Sequence, residues 1–268
     1  MKGARPRPRL AFGASIVPGE RVLPEEVGVA LTFNGTTQAV MMATPDHLED
    51  FAYGFALTEG LARPDEIESI ETVATDRGID LQLWVTPAAE KRLADRRRVM
   101  AGPVGCGLCG IDSLEQALRP MSPVGPGGLR LDPSQIRAAV AALPGTQPLH
   151  DATRAAHAAG FWDGARMVAV REDVGRHNAL DKLAGALVRA STTPPPGAVV
   201  MTSRVSIDLV QKVAALGAPM LVAVSAPTAD AVDLAERLGI TLIARARADG
   251  FELYTHSDRI ETRESHVR

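Results

Sequence analysis

Residues 197 to 246 read GAVVMTSRVSIDLVQKVAALGAPMLVAVSAPTADAVDLAERLGITLIARA. Three short apolar runs, GAVVMT, PMLVAVSA and ITLIARA, alternate with VSIDLVQKVAALG and TADAVDLAERLG, whose apolar residues recur every three or four positions. Runs too short for helices, set between amphipathic helices, are buried strands joined by crossovers. They imply an α/β unit with a mainly parallel sheet covered on both faces. The pattern extends upstream through ARMVAV (165–170) and the helical RHNALDKLAGALVRA (176–190). Downstream, FELYTH (251–256) adds an edge strand, so the unit spans 130–260.

The chain before this unit has a different rhythm. In VGVALTFNGTTQAVMMAT (27–44), two strand-like runs flank Asn34-Gly35, a dipeptide that tolerates the positive φ of a tight hairpin turn. TPDHLEDFAYGFALTEGL (44–61) predicts a helix with Thr44 as N-cap, Pro45 at its first position and Gly60 as its stop. IESIETVATDRGIDLQLWVT (67–86) turns at Asp76-Arg77-Gly78, and PAAEKRLADRRRV (87–99) is a charged segment, helical or a long strand end. These make an α+β unit over 20–120. SPVGPGGLRLDPSQ (122–135) is the Pro- and Gly-rich junction, TTPPPG (192–197) a connector, and residues 1–19 and 261–268 flexible ends.

A chain of 268 residues, 46% hydrophobic and 23% charged, is a soluble globular protein with room for two units. Aromatics at 4% leave the core to Ala, Val and Leu. A net charge of −3 gives no nucleic-acid footprint. The basic start lacks the apolar run of a secretory signal and no stretch is long enough to span a bilayer, so the expected location is the cytoplasm, without a membrane partner.

In an open α/β sheet, ligands collect beyond the carboxyl ends of the strands, where helix N-termini present spare N–H groups. Three loops of the second unit fall there: REDVGRHNALD (171–181), TSRVS (202–206) and SAPT (225–228). The first carries Arg176 and His177 among more polar side chains than a connection requires. In the second, Ser203 or Ser206 caps a helix, and Arg204 reads either as a phosphate clamp or as a solvent-facing charge. With no Walker or dinucleotide-binding fingerprint, these loops indicate an anionic, nucleotide-like ligand and nothing narrower.

The chain's two cysteines lie in VGCGLCGIDSLEQ (104–116), three positions apart among glycines. A reducing compartment disfavours a structural disulfide, leaving a metal clamp, a redox couple, a sulfur carrier or an inert pair. Zinc requires two further ligands. The flanking glycines are unlike a redox couple set directly between strand and helix. A helix start at 112–116, with capping-box spacing, would favour a thiolate just ahead of it.

With these segments in view, the chain resembles the formate dehydrogenase accessory sulfurtransferases, the FdhD family, from about residue 25 to about residue 258. The resemblance rests on TPDHLEDFAYGFALTEG, CGLCG, EDVGRHNALDKLAGAL and LVQKVAALGAPMLVAVSAPTADAVDLAERLGITLI, in that order. It implies a sulfurtransferase that receives sulfur from a cysteine desulfurase as a cysteine persulfide. The sulfur then passes to the molybdenum cofactor, in its bis-guanine-dinucleotide form, on the way to formate dehydrogenase. By resemblance, Cys106 bears the persulfide and Cys109 is its partner. The family's cofactor segment falls on Arg245, Ala246, Arg247, Ala248, Asp249 and Gly250, and His157 is retained in TRAAH (153–157). A guanine nucleotide would then mimic the cofactor, and the second unit would have a cytidine-deaminase-like three-layer fold without the deaminase zinc signature.

The chain departs from the family pattern in three places. Arg154-Ala155 replaces Gly-Gly, Arg245 and Gly250 stand where an aromatic and a second basic residue are usual, and Arg204 lacks a preceding Gly. Pairing of two chains would give a composite pocket for a two-fold-like cofactor. The alternative function is a cofactor-binding chaperone without covalent sulfur transfer.

Overall fold

A computed structural model describes residues 2–100, 121–125, 128–190 and 196–261. Strands β1 (Ala4–Phe12) and β2 (Ile16–Pro24) form an antiparallel hairpin over residues expected to include a flexible end. Alternating Arg and Pro in β1 does not read as a core strand, and both strands are almost wholly exposed.

The first unit is a four-stranded sheet of order β4-β3-β6-β5, built from β3 (Val27–Phe33), β4 (Thr36–Ala43), β5 (Ile67–Thr75) and β6 (Gly78–Val85). The turn between β3 and β4 has Asn34 at φ 44° and Gly35 at φ 76°, the double positive φ that Asn-Gly was expected to supply. Helix α1 (Leu48–Thr58) covers one face, packing Phe51 and Phe55 on Val29, Leu31, Leu81 and Leu83. Gly60, at φ 65°, follows its end as expected. Its N-cap, however, is His47 in the left-handed region, not Thr44. Thr44 is buried and makes its hydrogen bonds to the second unit instead. The charged segment after β6 is helix α2 (Pro87–Met100).

The second unit begins with α3 (Pro133–Ala142), capped by Asp132, whose carboxylate accepts from the Ser134 and Gln135 N–H groups while Gln135 reaches back to the Asp132 N–H. Then follow α4 (Pro148–Thr153), β7 (His157–Trp162), β8 (Met167–Asp173), α5 (Arg176–Ala190) and β9 (Ala198–Met201). The chain continues through α6 (Ile207–Leu216), β10 (Met220–Ala223), α7 (Ala229–Arg237), β11 (Thr241–Ala244) and the edge strand β12 (Glu252–Leu253).

The sheet order is β12-β11-β10-β9-β7-β8. Only β9, β10 and β11 are mutually parallel; the β7–β8 hairpin and β12 pair antiparallel, so the sheet is mixed where a mainly parallel one was expected. The α/β class stands, and the sheet is covered on both sides. Val199, Met201, Leu221 and Leu242 face α5, α6 and α7, while Val200, Val222 and Ile243 face Ile136 and Val140 of α3.

The two units meet where α1 crosses α5. A Cβ on Gly54 would lie 1.6 Å from the Asp181 carbonyl oxygen, and one on Gly185 would lie 1.8 Å from that of Asp50. The helix backbones therefore touch, which only glycine at both positions allows.

Candidate functional site at the strand ends

Because β7 runs antiparallel to β9, its first residue, His157, lies at the same edge as the carboxyl ends of β9, β10 and β11. The end of β8 joins them, since Asp173 is the register partner of His157. Main-chain hydrogen bonds tie the edge loops side by side. Thr202 N–H donates to Ala158 O (3.1 Å), Val205 N–H to Ala226 O (3.2 Å), and Thr228 N–H to Val205 O (2.9 Å). Arg245 N–H donates to Ser225 O (3.1 Å), and Arg247 N–H closes a turn on Gly250 O (2.8 Å). His157, Arg176, His177, Arg204 and the segment 245–250 are thus all on one edge, as the strand order requires.

The polar loop after β8 divides into a buried part and an outer part. Asp173 is fully buried, and its carboxylate accepts four bonds: from Gly175 N–H (2.8 Å) and Asn178 Nδ2 (3.0 Å) on one oxygen, and from Thr44 N–H (2.9 Å) and Lys182 Nζ (2.6 Å) on the other. Lys182 also donates to Thr44 O (2.8 Å), Asn178 Nδ2 to Met42 O (2.8 Å), and Val174 N–H to Thr44 Oγ1 (3.2 Å). Burial lowers the Lys182 pKa, and the Asp173 carboxylate opposes that pull. The result is a clamp between the β4–α1 connection and the start of α5, which fixes the turn that presents Arg176 and His177.

Those two side chains are only partly buried. Arg176 Nε is enclosed without a hydrogen-bond partner among the described residues. His177 Nε2 pairs with Asp208, in the first turn of α6. Burial raises the Asp208 pKa, but the hydrogen bond and charge of His177, with the Ser206 hydroxyl, outweigh it and hold the carboxyl well below its usual range. Ser206 is the N-cap residue of α6, yet its hydroxyl makes no cap bond; Thr228 does cap α7, accepting from Ala231 N–H (3.3 Å). His157 is half-buried. Burial first, then Arg176, His150 and His177, lower its pKa below the usual 6.5, so its imidazole is neutral at pH 7.

Further along the edge, Arg204 and Arg247 are exposed and form no ion pair among the described residues, while Arg245 pairs with Glu252 (3.2 Å) from the left-handed conformation. Ala246 is buried, Ala248 and Asp249 are exposed, and Gly250 is partly buried. This collection of cations, a neutral histidine and the N-termini of α5 and α6 suits an anionic ligand. Asp208 was missed by sequence reasoning, although an acid two positions after Ser206 at a helix start was a visible signal. A cavity of about 150 Å³ lies elsewhere, between the β4–α1 connection and α4, lined by Thr44, Asp46, His47, Leu149 and Glu172. None of the expected site residues lines it.

Cys106, Cys109 and the helix start expected at 112–116 lie outside the described residues.

The model of the FdhD/NarQ family matches residues 24–261. A sulfur carrier protein FdhD from Agrobacterium fabrum is 52% identical over 244 residues, 90% of each chain. Its counterparts from Brucella abortus (53% over 242 residues, 90% of each chain) and Bordetella bronchiseptica (47% over 238 residues, 88% of this chain and 86% of the other) are similar as well. A crystal structure of a proposed formate dehydrogenase accessory protein from Desulfotalea psychrophila superimposes with a TM-score of 0.73 over 96% of this chain and 99% of the other, at 22% identity, and so shares the fold.

Proposed function

The chain belongs to the FdhD/NarQ family, and from that premise we propose that it is a sulfur carrier, a sulfurtransferase accessory to formate dehydrogenase. The Cys106 thiolate attacks the terminal sulfur of a cysteine desulfurase persulfide, forming Cys106–S–SH and releasing the desulfurase thiolate. Cys109 then attacks the Sγ of Cys106. The Cys106–Cys109 disulfide forms, the terminal sulfur leaves as hydrosulfide for the molybdenum cofactor, and a dithiol reductant resets the pair. In this reading the thiol pair supplies the two electrons that convert sulfane sulfur to sulfide.

The cofactor is substrate here, in its bis-guanine-dinucleotide form. Its phosphates would be met by Arg176, Arg204 and Arg247 with the N-termini of α5 and α6, and His157 and His177 would lie beside them. Arg245 and the turn 246–250 would flank a guanine, so guanosine diphosphate is the probe of choice. The observation that carries the reading is the convergence on one edge of three loops bearing cations with few acidic partners, in a chain whose relatives are named sulfur carriers.

The test is reactivation of a cofactor-loaded but sulfur-free formate dehydrogenase. Cys106→Ala is expected to abolish activation while leaving guanosine diphosphate affinity unchanged. Activation that survives the substitution would establish a cofactor chaperone without covalent transfer.

A further inference from the structure

Helices α5 and α6 are joined by two ion pairs stacked one turn apart. At the strand edge His177 Nε2 contacts the Asp208 carboxylate; one turn further along each helix, Asp181 pairs with Lys212 Nζ (2.8 Å). The same two faces therefore meet in both rungs, and the polarity reverses between them. The inner rung is a structural requirement. The Asp181 and Lys212 side chains are 1% and 6% exposed, Lys212 also bonds to Thr58 and Glu59 of the first unit, and removing either partner would leave a naked buried charge. The outer rung meets no such need. The side chains of His177 and Asp208 keep 28% and 36% of their exposure, so water would serve both groups.

Asp208 is also an acid where the surroundings favour an incoming anion. It stands in the first turn of α6, whose N-cap residue Ser206 makes no cap bond to the first N–H groups. Its partner His177 follows Arg176, whose enclosed Nε has no hydrogen-bond partner among the described residues. The other charged and titratable groups around the imidazole are accounted for. Arg176 on its own helix is a cation, His157 on β7 interacts with it electrostatically, Asp173 on β8 is taken up by Lys182, and Glu59 beyond α1 is taken up by Lys212. Among the described residues, Asp208 is the carboxylate in contact with the ring. Coulomb's law alone would make an acid in this place a hindrance to a phosphate, so deleting it should tighten binding.

We propose the opposite sign: Asp208 is a positioning residue for the anionic ligand of the strand edge, acting through His177. It holds the imidazole by Nε2, which leaves Nδ1 as the nitrogen that turns to the ligand, and the imidazole in return neutralises the carboxylate that would otherwise oppose the phosphates. The two residues then act as one unit. This assignment rests on the proposal that the edge binds a guanine-dinucleotide cofactor. Whether guanosine diphosphate binds at all tests that proposal, and the direction in which its affinity moves without Asp208 tests this one.

The experiment is calorimetric titration of the full chain with guanosine diphosphate at pH 7. Asp208→Asn is expected to weaken binding about tenfold, and Asp208→Glu, whose carboxylate still reaches the ring, to keep most of the affinity. His177→Gln should weaken binding by a similar factor, and the double variant His177→Gln/Asp208→Asn should bind no more weakly than His177→Gln alone, because one unit is lost only once. Affinity that is unchanged or tighter in Asp208→Asn, an Asp208→Glu chain as weak as Asp208→Asn, or losses that multiply in the double variant would overturn the proposal. A wild-type chain that does not bind guanosine diphosphate would overturn the cofactor proposal and this assignment with it.

Discussion

The segment Asp173–Lys182 contains two regions of opposite character within ten residues. Asp173, Asn178 and Lys182 point into the junction between the units and are buried and hydrogen-bonded; Arg176 and His177 lie at the strand edge and are partly open. In sequence they look alike, a dense run of polar residues after a strand. The difference teaches that such a run serves two purposes, one set of side chains holding the turn and the other left partly open at the strand edge. A second buried cluster repeats the inner pattern beneath it. Lys212 Nζ bonds to Asp181 (2.8 Å), Glu59 (2.6 Å) and Thr58 (3.0 Å), and these carboxylates, against the pull of burial, raise its pKa and keep it charged.

The sharpest way to break this comparison is to cut the clamp. Lys182→Met leaves Asp173 buried without its counter-charge, and the expected loss is about 3–5 kcal/mol of unfolding free energy, read by urea denaturation. A loss below about 1 kcal/mol would mean that the inner region is not what holds the turn.

Asp208→Asn sits between the two regions. The expected loss at pH 7 is about 1 kcal/mol, reduced by the solvent-facing share of the pair. Because the folded carboxyl lies below its unfolded value of 3.8, the stabilisation is fully present above that value. It disappears as pH falls through the folded value, so the gap between variant and wild type should close in strong acid.

At the outer region, Arg204→Ala should change stability by no more than about 0.5 kcal/mol. It should weaken guanosine diphosphate binding about tenfold, the worth of one charge-assisted contact, as read by calorimetry. Unchanged affinity would remove Arg204 from the ligand edge.

Much of this architecture was legible in the residues. Asn34-Gly35 announced its turn, and the apolar runs at 198–201, 220–223 and 241–244 announced their strands because each is short and set between amphipathic helical segments. β7 was hidden because His-Ala-Ala-Gly-Phe-Trp has little β-branched character, and its antiparallel place between β9 and β8 helps make the sheet mixed. Only the start of α3 fell within the Pro-Gly-rich junction read over 122–135, and the helix went unread although Asp132 and Gln135 stood at capping-box spacing. The β1–β2 hairpin escaped because its strands build no core. Thr44 was taken for a cap on local grounds, whereas its partners, Asp173 and Lys182, are 129 and 138 residues away and no local pattern points to them. The same distance explains why the clamp and the ligand edge were not told apart.

The central claim, that Cys106 carries sulfur, is tested most directly by intact-protein and peptide mass spectrometry after incubation with a cysteine desulfurase and cysteine. The account predicts a gain of one sulfur atom on the peptide containing Cys106, reversible by thiol reductant and absent from Cys106→Ala. A chain that stays unmodified while the desulfurase turns over would contradict it.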